Sequence, residues 1–224
     1  MKLSLKFGGR EFGVTLGQKS GLDPALWLRG EDFGENEGAK LLSPYSQSAK
    51  HDQPFLDRES HEDHDIRTWL SKCTVNKDNQ VCIPAMALKQ CIDTAAYKLG
   101  VKVPGRRGAT FKNFMASGFF CDHDVPISNG KPIAPGNAEC ITISANADGR
   151  RGSGSRVPRR FPVFPKWHGV AEFTILDDVI TPEIFEQHVK ASGVIVGIGR
   201  FRAENGGTNG RFRATKFEWK DLQL

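Results

Sequence analysis

The residues in this chain best equipped for chemistry are arginines, and they come in clusters. The stretch VGIGRFRAENGGTNGRFRATKFEW, residues 196–219, holds two R-F-R triplets. Arg200 and Arg202 precede a glycine-rich spacer at 203–210, and Arg211 and Arg213 follow it. The loop at 149–160 holds Arg150, Arg151, Arg156, Arg159 and Arg160 among glycine and serine, with no acid after Asp148. A third basic loop carries Lys102, Arg106, Arg107 and Lys112. The planar guanidinium fork matches a phosphate, and an anionic partner relieves the repulsion of clustered like charges. Such clustering points to nucleic-acid contact. A solvated basic surface is the alternative.

The two triplets alternate with the period of a strand. With Phe201 and Phe212 turned toward a core, the four arginines face the other way and line one backbone track. Gly206, Gly207 and Gly210 would let a phosphate–sugar chain come close and donate N–H groups to it. A glycine hairpin with soluble flanks fits the same residues, and an outward phenylalanine would stack a base instead. G-I-G-R-F-R is not the G-x-G-x-x-G of dinucleotide sites.

HDQPFLDRESHEDHD sets His51, His61 and His64 among acids, with Cys73 and Cys82 following. The spacing matches no zinc or hard-cation signature, so the expectation is a solvated acidic loop with no metal and no cofactor. No G-x-S-x-G, P-loop or H-E-x-x-H pattern occurs, and neither His168 nor His188 has a sequence partner for catalysis. No catalytic residue is assigned.

The elements that must position these residues are those of an ordinary globular chain. It has 224 residues, 38% hydrophobic and 25% charged. No apolar run approaches the ~18 residues of a membrane helix, and MKLSLKFGGREF reads as a strand and not a signal peptide. A cytoplasmic protein without membrane partners is expected. The five cysteines lack C-x-x-C spacing, which favours reduced thiols, with Cys82 and Cys91 packing as small hydrophobes. Residues 1–65 hold 8 Lys and Arg against 12 Asp and Glu, net −4, while residues 66–224 hold 23 against 14, net +9. The binding surface therefore belongs to the last two-thirds.

Residues 2–7 read as a strand and 17–66 as an irregular acidic insertion. QVCIP predicts a brief strand running into a helix, with Pro84 in its first turn, a stripe of Ala85, Leu88, Ile92, Ala95, Ala96 and Leu99, and Gly100 as the stop. Strands are predicted at 117–121, in AECITISANA with Ile141 and Ile143 on one face, and in GVAEFTILDDV. The basic stretch at about 148–160 reads as a loop. TPEIFEQHVKASG predicts a helix capped by Thr181, with Ile184, Phe185, His188 and Val189 inward and Gly193 as the stop. GRFRATKFEW predicts a closing strand, with Phe212, Ala214 and, past a bulge, Phe217 and Trp219 inward. Strand–helix–strand units twice over indicate an α+β, ferredoxin-like core, of the kind in RNA-recognition motifs, with long inserted loops.

CIPAMALKQCIDTAA resembles the element of the RAMP superfamily in which a proline enters a helix after a short strand. GIGRFRAENGGTNGRF resembles that superfamily's glycine-rich loop before its last strand. The likeness is nearest in character to the RNA-binding backbone subunit of CRISPR effector complexes, whose members polymerise along a guide RNA. Ala85, Met86 and Ala87 stand where that family has small Gly and Ser residues, and Gln90 where it has a helix glycine. The length suits a trimmed, virus-encoded relative connected with antiviral defence. The resemblance implies one RAMP-like domain over 1–224. It implies a non-catalytic protein that binds single-stranded RNA in preference to DNA, as a homo-oligomer or a ribonucleoprotein subunit. The alternatives are a metal-independent endoribonuclease of the same superfamily, with His168 or His188 as general base, and an assembly module acting through the acidic N-terminal third.

Overall fold

The computed structural model describes the strand backbones at 2–7, 10–15 and 25–29, together with residues 43–47, 53–146 and 156–219. It is an α+β protein with antiparallel sheets. Strands β1 (Lys2–Phe7) and β2 (Arg10–Thr15) form a two-stranded sheet of their own, with Lys2 opposite Thr15 and Phe7 opposite Arg10. β3 (Ala25–Arg29), β4 (Tyr45–Ser46) and helix α1 (His61–Thr68) follow. Three ordered elements thus fall in or against the stretch 17–66, which sequence alone marks as irregular. α1 has its own start signal: the Ser60 hydroxyl accepts from the Asp63 N–H, and Glu62 and Asp63 fill the first turn, where carboxylates suit the helix dipole.

β5 (Cys82–Ile83) leads through Pro84 into α2 (Ala85–Leu99). Gly100 ends α2 in the left-handed region, at φ 57°, a conformation that glycine adopts without steric cost. Leu88, Ile92, Ala95 and Ala96 of the expected stripe are fully buried, whereas Leu99 at its end is exposed. α3 (Phe111–Ser117), β6 (Phe119–Cys121) and β7 (Val125–Ser128) come next. The strand expected at 117–121 is therefore shorter, because Phe111 and Met115 bury one face of a helix that runs to Ser117. β8 (Glu139–Asn146) and β9 (Arg156–Phe164) pair in register from Glu139–Val163 to Asn146–Arg156. β10 (His168–Ile175), α4 (Pro182–Ile195) and β11 (Arg213–Phe217) complete the chain.

The main sheet runs β11-β3-β10-β7-β5, with β6 also on β10, and every pairing is antiparallel. α2 and α4 pack together against this sheet. Between them lies an aromatic cluster in which Phe185 meets Phe119 at 5.3 Å and Phe173 at 5.2 Å between ring centroids. Burying such a side chain contributes about 1.5–3 kcal/mol. The bulge expected near the C-terminus is present in β11, between Ala214 and Phe217.

One expectation needs correction. α4 runs through Gly193, the expected stop, to Ile195. Gly193 is there for packing: an added Cβ would collide with the Phe212 carbonyl, and the Phe212 N–H donates to the Gly193 carbonyl at 3.2 Å. β8 is a strand, as expected, and it lies outside the core. Ile141 is 38% exposed and only Ala145 of β8 is buried, because β8 flanks β9 in a separate sheet of order β4-β9-β8.

Candidate nucleic-acid interface

β9 is built in two halves. Phe161 to Phe164 are buried, and Arg156 to Arg160 are exposed or half-buried. The buried half is held on one side by β4, through Tyr45–Phe164 and Ser46–Val163, and along its length by β8. The polar half carries Arg156, Arg159 and Arg160 on a two-stranded ribbon, a strand where sequence predicts loop. Arg150 and Arg151 lie outside the described residues. Strand alternation sets Arg159 and Phe161 on one face and Arg160 on the other.

Arg160 has acids to meet it after all, and they come from α1. Its backbone N–H donates to Asp65 Oδ2 at 2.7 Å, and its guanidinium lies 3.5 Å from Glu62 and 3.7 Å from Asp65. The other oxygen of Asp65 accepts from the Lys72 ammonium at 3.0 Å, and Lys72 also donates to the Arg160 carbonyl. Lys72 is only 2% exposed. Burial pushes its ammonium below the ordinary lysine value, Asp65 opposes this, and Arg159 and Arg200 add to the lowering.

Phe161 is the meeting point of two distant arginine clusters. Lys72 lies 4.6 Å from its ring centroid and the Arg200 guanidinium 4.9 Å, distances at which a cation is attracted to the ring. Phe201 meets Phe161 edge-on at 5.5 Å. Burial, and then the neighbouring charge of Arg159, lower the Arg200 guanidinium below its ordinary value. The structure thus sets Arg200 over Phe161, on the strand that also carries Arg159.

It does not group the four triplet arginines. Residues 198–201 form turns, not a strand, and Phe201 takes φ 55°. Arg202 turns back to Glu204, with bonds of 3.0 and 2.8 Å, beside a groove of about 230 Å³ between α2 and residues 196–199. Arg211 is half-buried, its N–H donating to the Ser43 hydroxyl at 2.8 Å. Arg213 is exposed on β11, opposite Arg29 of β3. Phe212 is fully buried, as its alternation requires.

The spacer glycines are also placed differently. A Cβ on Gly207 would overlap the Phe201 carbonyl, and one on Gly210 the Ile198 carbonyl. Their lack of a side chain is used by the chain's own backbone, which closes the loop through Ile198 N–H to Gly210 C=O at 2.9 Å. Gly206 faces open space.

The third basic loop is a turn after α2. Arg106 and Arg107 are exposed, Arg106 lies 5.0 Å from the Phe114 ring, and Lys112 lies 4.7 Å from the ring of Tyr97. Among the described residues no hydrogen bond or ion pair joins this turn to the ribbon, so it forms a separate basic patch.

His168 bonds the Ser128 hydroxyl through Nε2 at 2.7 Å. His188 is fully buried beside Phe111, with Nδ1 2.6 Å from the Ile184 carbonyl, which removes it as a general base for an outside substrate. His51 lies outside the described residues. Among the described residues no three His, Cys, Asp or Glu side chains group as metal ligands, and no helix is long and apolar enough to cross a membrane. His61 and His64 instead pack on Phe55, His64 stacked at 4.0 Å and His61 edge-on at 5.0 Å. They line a cleft of about 620 Å³ between α1 and the ribbon. Sequence reasoning missed Asp65, Lys72 and Phe161. Lys72 lies beyond α1, on a short 3-10 turn at Trp69–Lys72, so no single helical period links it to Asp65 in the sequence. No protein-family model matches the chain, and no curated protein matches it.

Proposed function

We propose that this protein binds single-stranded nucleic acid, RNA in preference to DNA, along the β8–β9 ribbon, without catalysis of its own. The observation that carries this reading is the run of Arg156, Arg159 and Arg160 on one strand, with Arg200, from a segment 39 positions beyond Phe161, set 4.9 Å from the Phe161 ring of that same strand. Guanidinium groups gathered on one strand match the spacing and charge of a phosphate chain. Arg156 extends the same strand, and Arg150 and Arg151 belong to the connection between β8 and β9. The ion pairs of Arg160 with α1 hold the base of the ribbon in place, so Arg160 positions the interface.

The strand order supports a ferredoxin-like core for this interface. β3, the β6–β7 segment, β10 and β11 stand as first, second, third and fourth strands in the spatial order fourth-first-third-second. α2 lies between the first and second and α4 between the third and fourth, as in a βαββαβ unit. Assembly of several copies along one strand, as the RAMP resemblance implies, belongs to the same proposal.

Fluorescence anisotropy with labelled single-stranded RNA, single-stranded DNA and duplex DNA, over a range of salt, tests the reading. The expected order is RNA, then DNA, then duplex, with log affinity falling linearly in log salt. Equal weak binding to all three would overturn it. Sedimentation of the complex on strands of increasing length reads out assembly.

A further inference from the structure

The cleft between α1 and the ribbon adjoins the Phe161 cluster through Asp65 and Arg159, and its aromatic wall, Phe55 with His61 and His64, takes no part in phosphate binding. Its volume of about 620 Å³ lies within the ~300–1,000 Å³ of small-molecule sites. One wall is aromatic: Phe55 rests on His64, meets His61 at its edge, and is still 50% exposed. The other wall is β9, with Val157, Pro158, Arg159 and Arg160. Glu62 and the Gln53 side chain add acceptors and donors. An exposed phenylalanine held flat by a histidine is a stacking platform, and the surrounding charges and amides suit the polar edge of a planar ring. The arginines that line the cleft belong to the strand that carries the phosphate track.

We propose that the cleft takes one unstacked base of the bound strand, with Phe55 as its stacking surface and Glu62 reading an amino or imino donor on its edge. This rests on the single-strand reading given above. Stacking a base on an aromatic side chain strengthens binding by about 5- to 150-fold.

The test compares an oligonucleotide with a fully abasic strand of equal phosphate number, titrated into the native protein, Phe55→Ala and Phe55→Trp. The native protein is expected to prefer the base-bearing strand by at least about fivefold. Phe55→Ala should lose most of that preference while binding the abasic strand as the native protein does, and Phe55→Trp should keep it. Phe55 is half exposed, so a thermal melt should show Phe55→Ala folded. Equal affinity of the native protein for both strands, or a preference that survives Phe55→Ala, overturns the proposal while leaving the phosphate interface standing. If neither strand binds, the interface itself is absent and the base site falls with it.

Discussion

His188 shows how one buried residue sets a pH dependence. Burial holds its imidazole below the ordinary value of 6.5, so the unfolded chain takes up a proton that the folded chain refuses. Stability should therefore fall as pH drops below about 6.5. Denaturant titrations between pH 7 and 5, above the range of most carboxylates, should show this loss, and His188→Leu should flatten it. Lys72 is a second such residue. Lys72→Ala leaves the Asp65 carboxylate buried without its ammonium and should cost about 3 kcal/mol, read by the same titration. The two arginines of the first triplet should separate by function. Arg200→Ala removes a cation beside the ribbon and should weaken RNA binding about fivefold at 0.1 M salt, the share of one phosphate. Arg202→Ala, already matched by Glu204, should stay within about twofold. Sequence gives the types of these residues but not their partners. Arg200 and Arg202 look equivalent in the triplet, and only the turn at 198–201, with Phe201 at positive φ, sends one to Phe161 and the other to Glu204.

At the scale of elements, α4 and β11 depend on one another through Phe212. It enters the core where Gly193 leaves room on the helix, so Phe212→Ala should destabilise the fold by about 3–5 kcal/mol. Gly207→Val should destabilise it as well, because the Phe201 carbonyl occupies the space of the new side chain. A thermal melt of the two variants checks both, and a Gly207→Val protein that melts normally but binds RNA poorly would return that glycine to the interface. The helices α2 and α4 were legible because their signals are local: Pro84, Thr181 and Gly100, with apolar residues at helical spacing. α1 was not: Ser60 caps it locally, but its composition is acidic, without an apolar stripe, and the partner it packs on is distant, the Arg160 backbone 95 positions away. β8 was legible as a strand, but its exposure was not. Its alternation of Ile with Thr and Ser is that of a half-buried strand, but only β9 lies beside it, and Ile141 stays in solvent.

For the whole molecule, the uneven charge has become an arrangement. The acidic N-terminal third supplies the helix whose Glu62 and Asp65 meet Arg160 at the middle of the basic strand. Replacing Arg150, Arg151, Arg156 and Arg159 together by alanine, with Arg160 kept, should weaken RNA binding steeply. The salt slope should shrink by about 0.7 for each phosphate the variant no longer neutralises. An unchanged slope would mean that the ribbon is only a solvated surface. The order of the main sheet also bears on how the chain is made. β3 stands between β10 and β11, so the strand synthesised early is central to a sheet whose neighbours are synthesised last. At about 5–20 residues per second, roughly 10–40 s separate the emergence of β3 from that of β11. For most of that interval β3 has no partner in its own sheet, and the arginine ribbon leaves the ribosome before the sheet can close. The main sheet thus cannot close until β11 has emerged, and a strand placed at its centre spends that interval with an unpaired edge that other chains could meet.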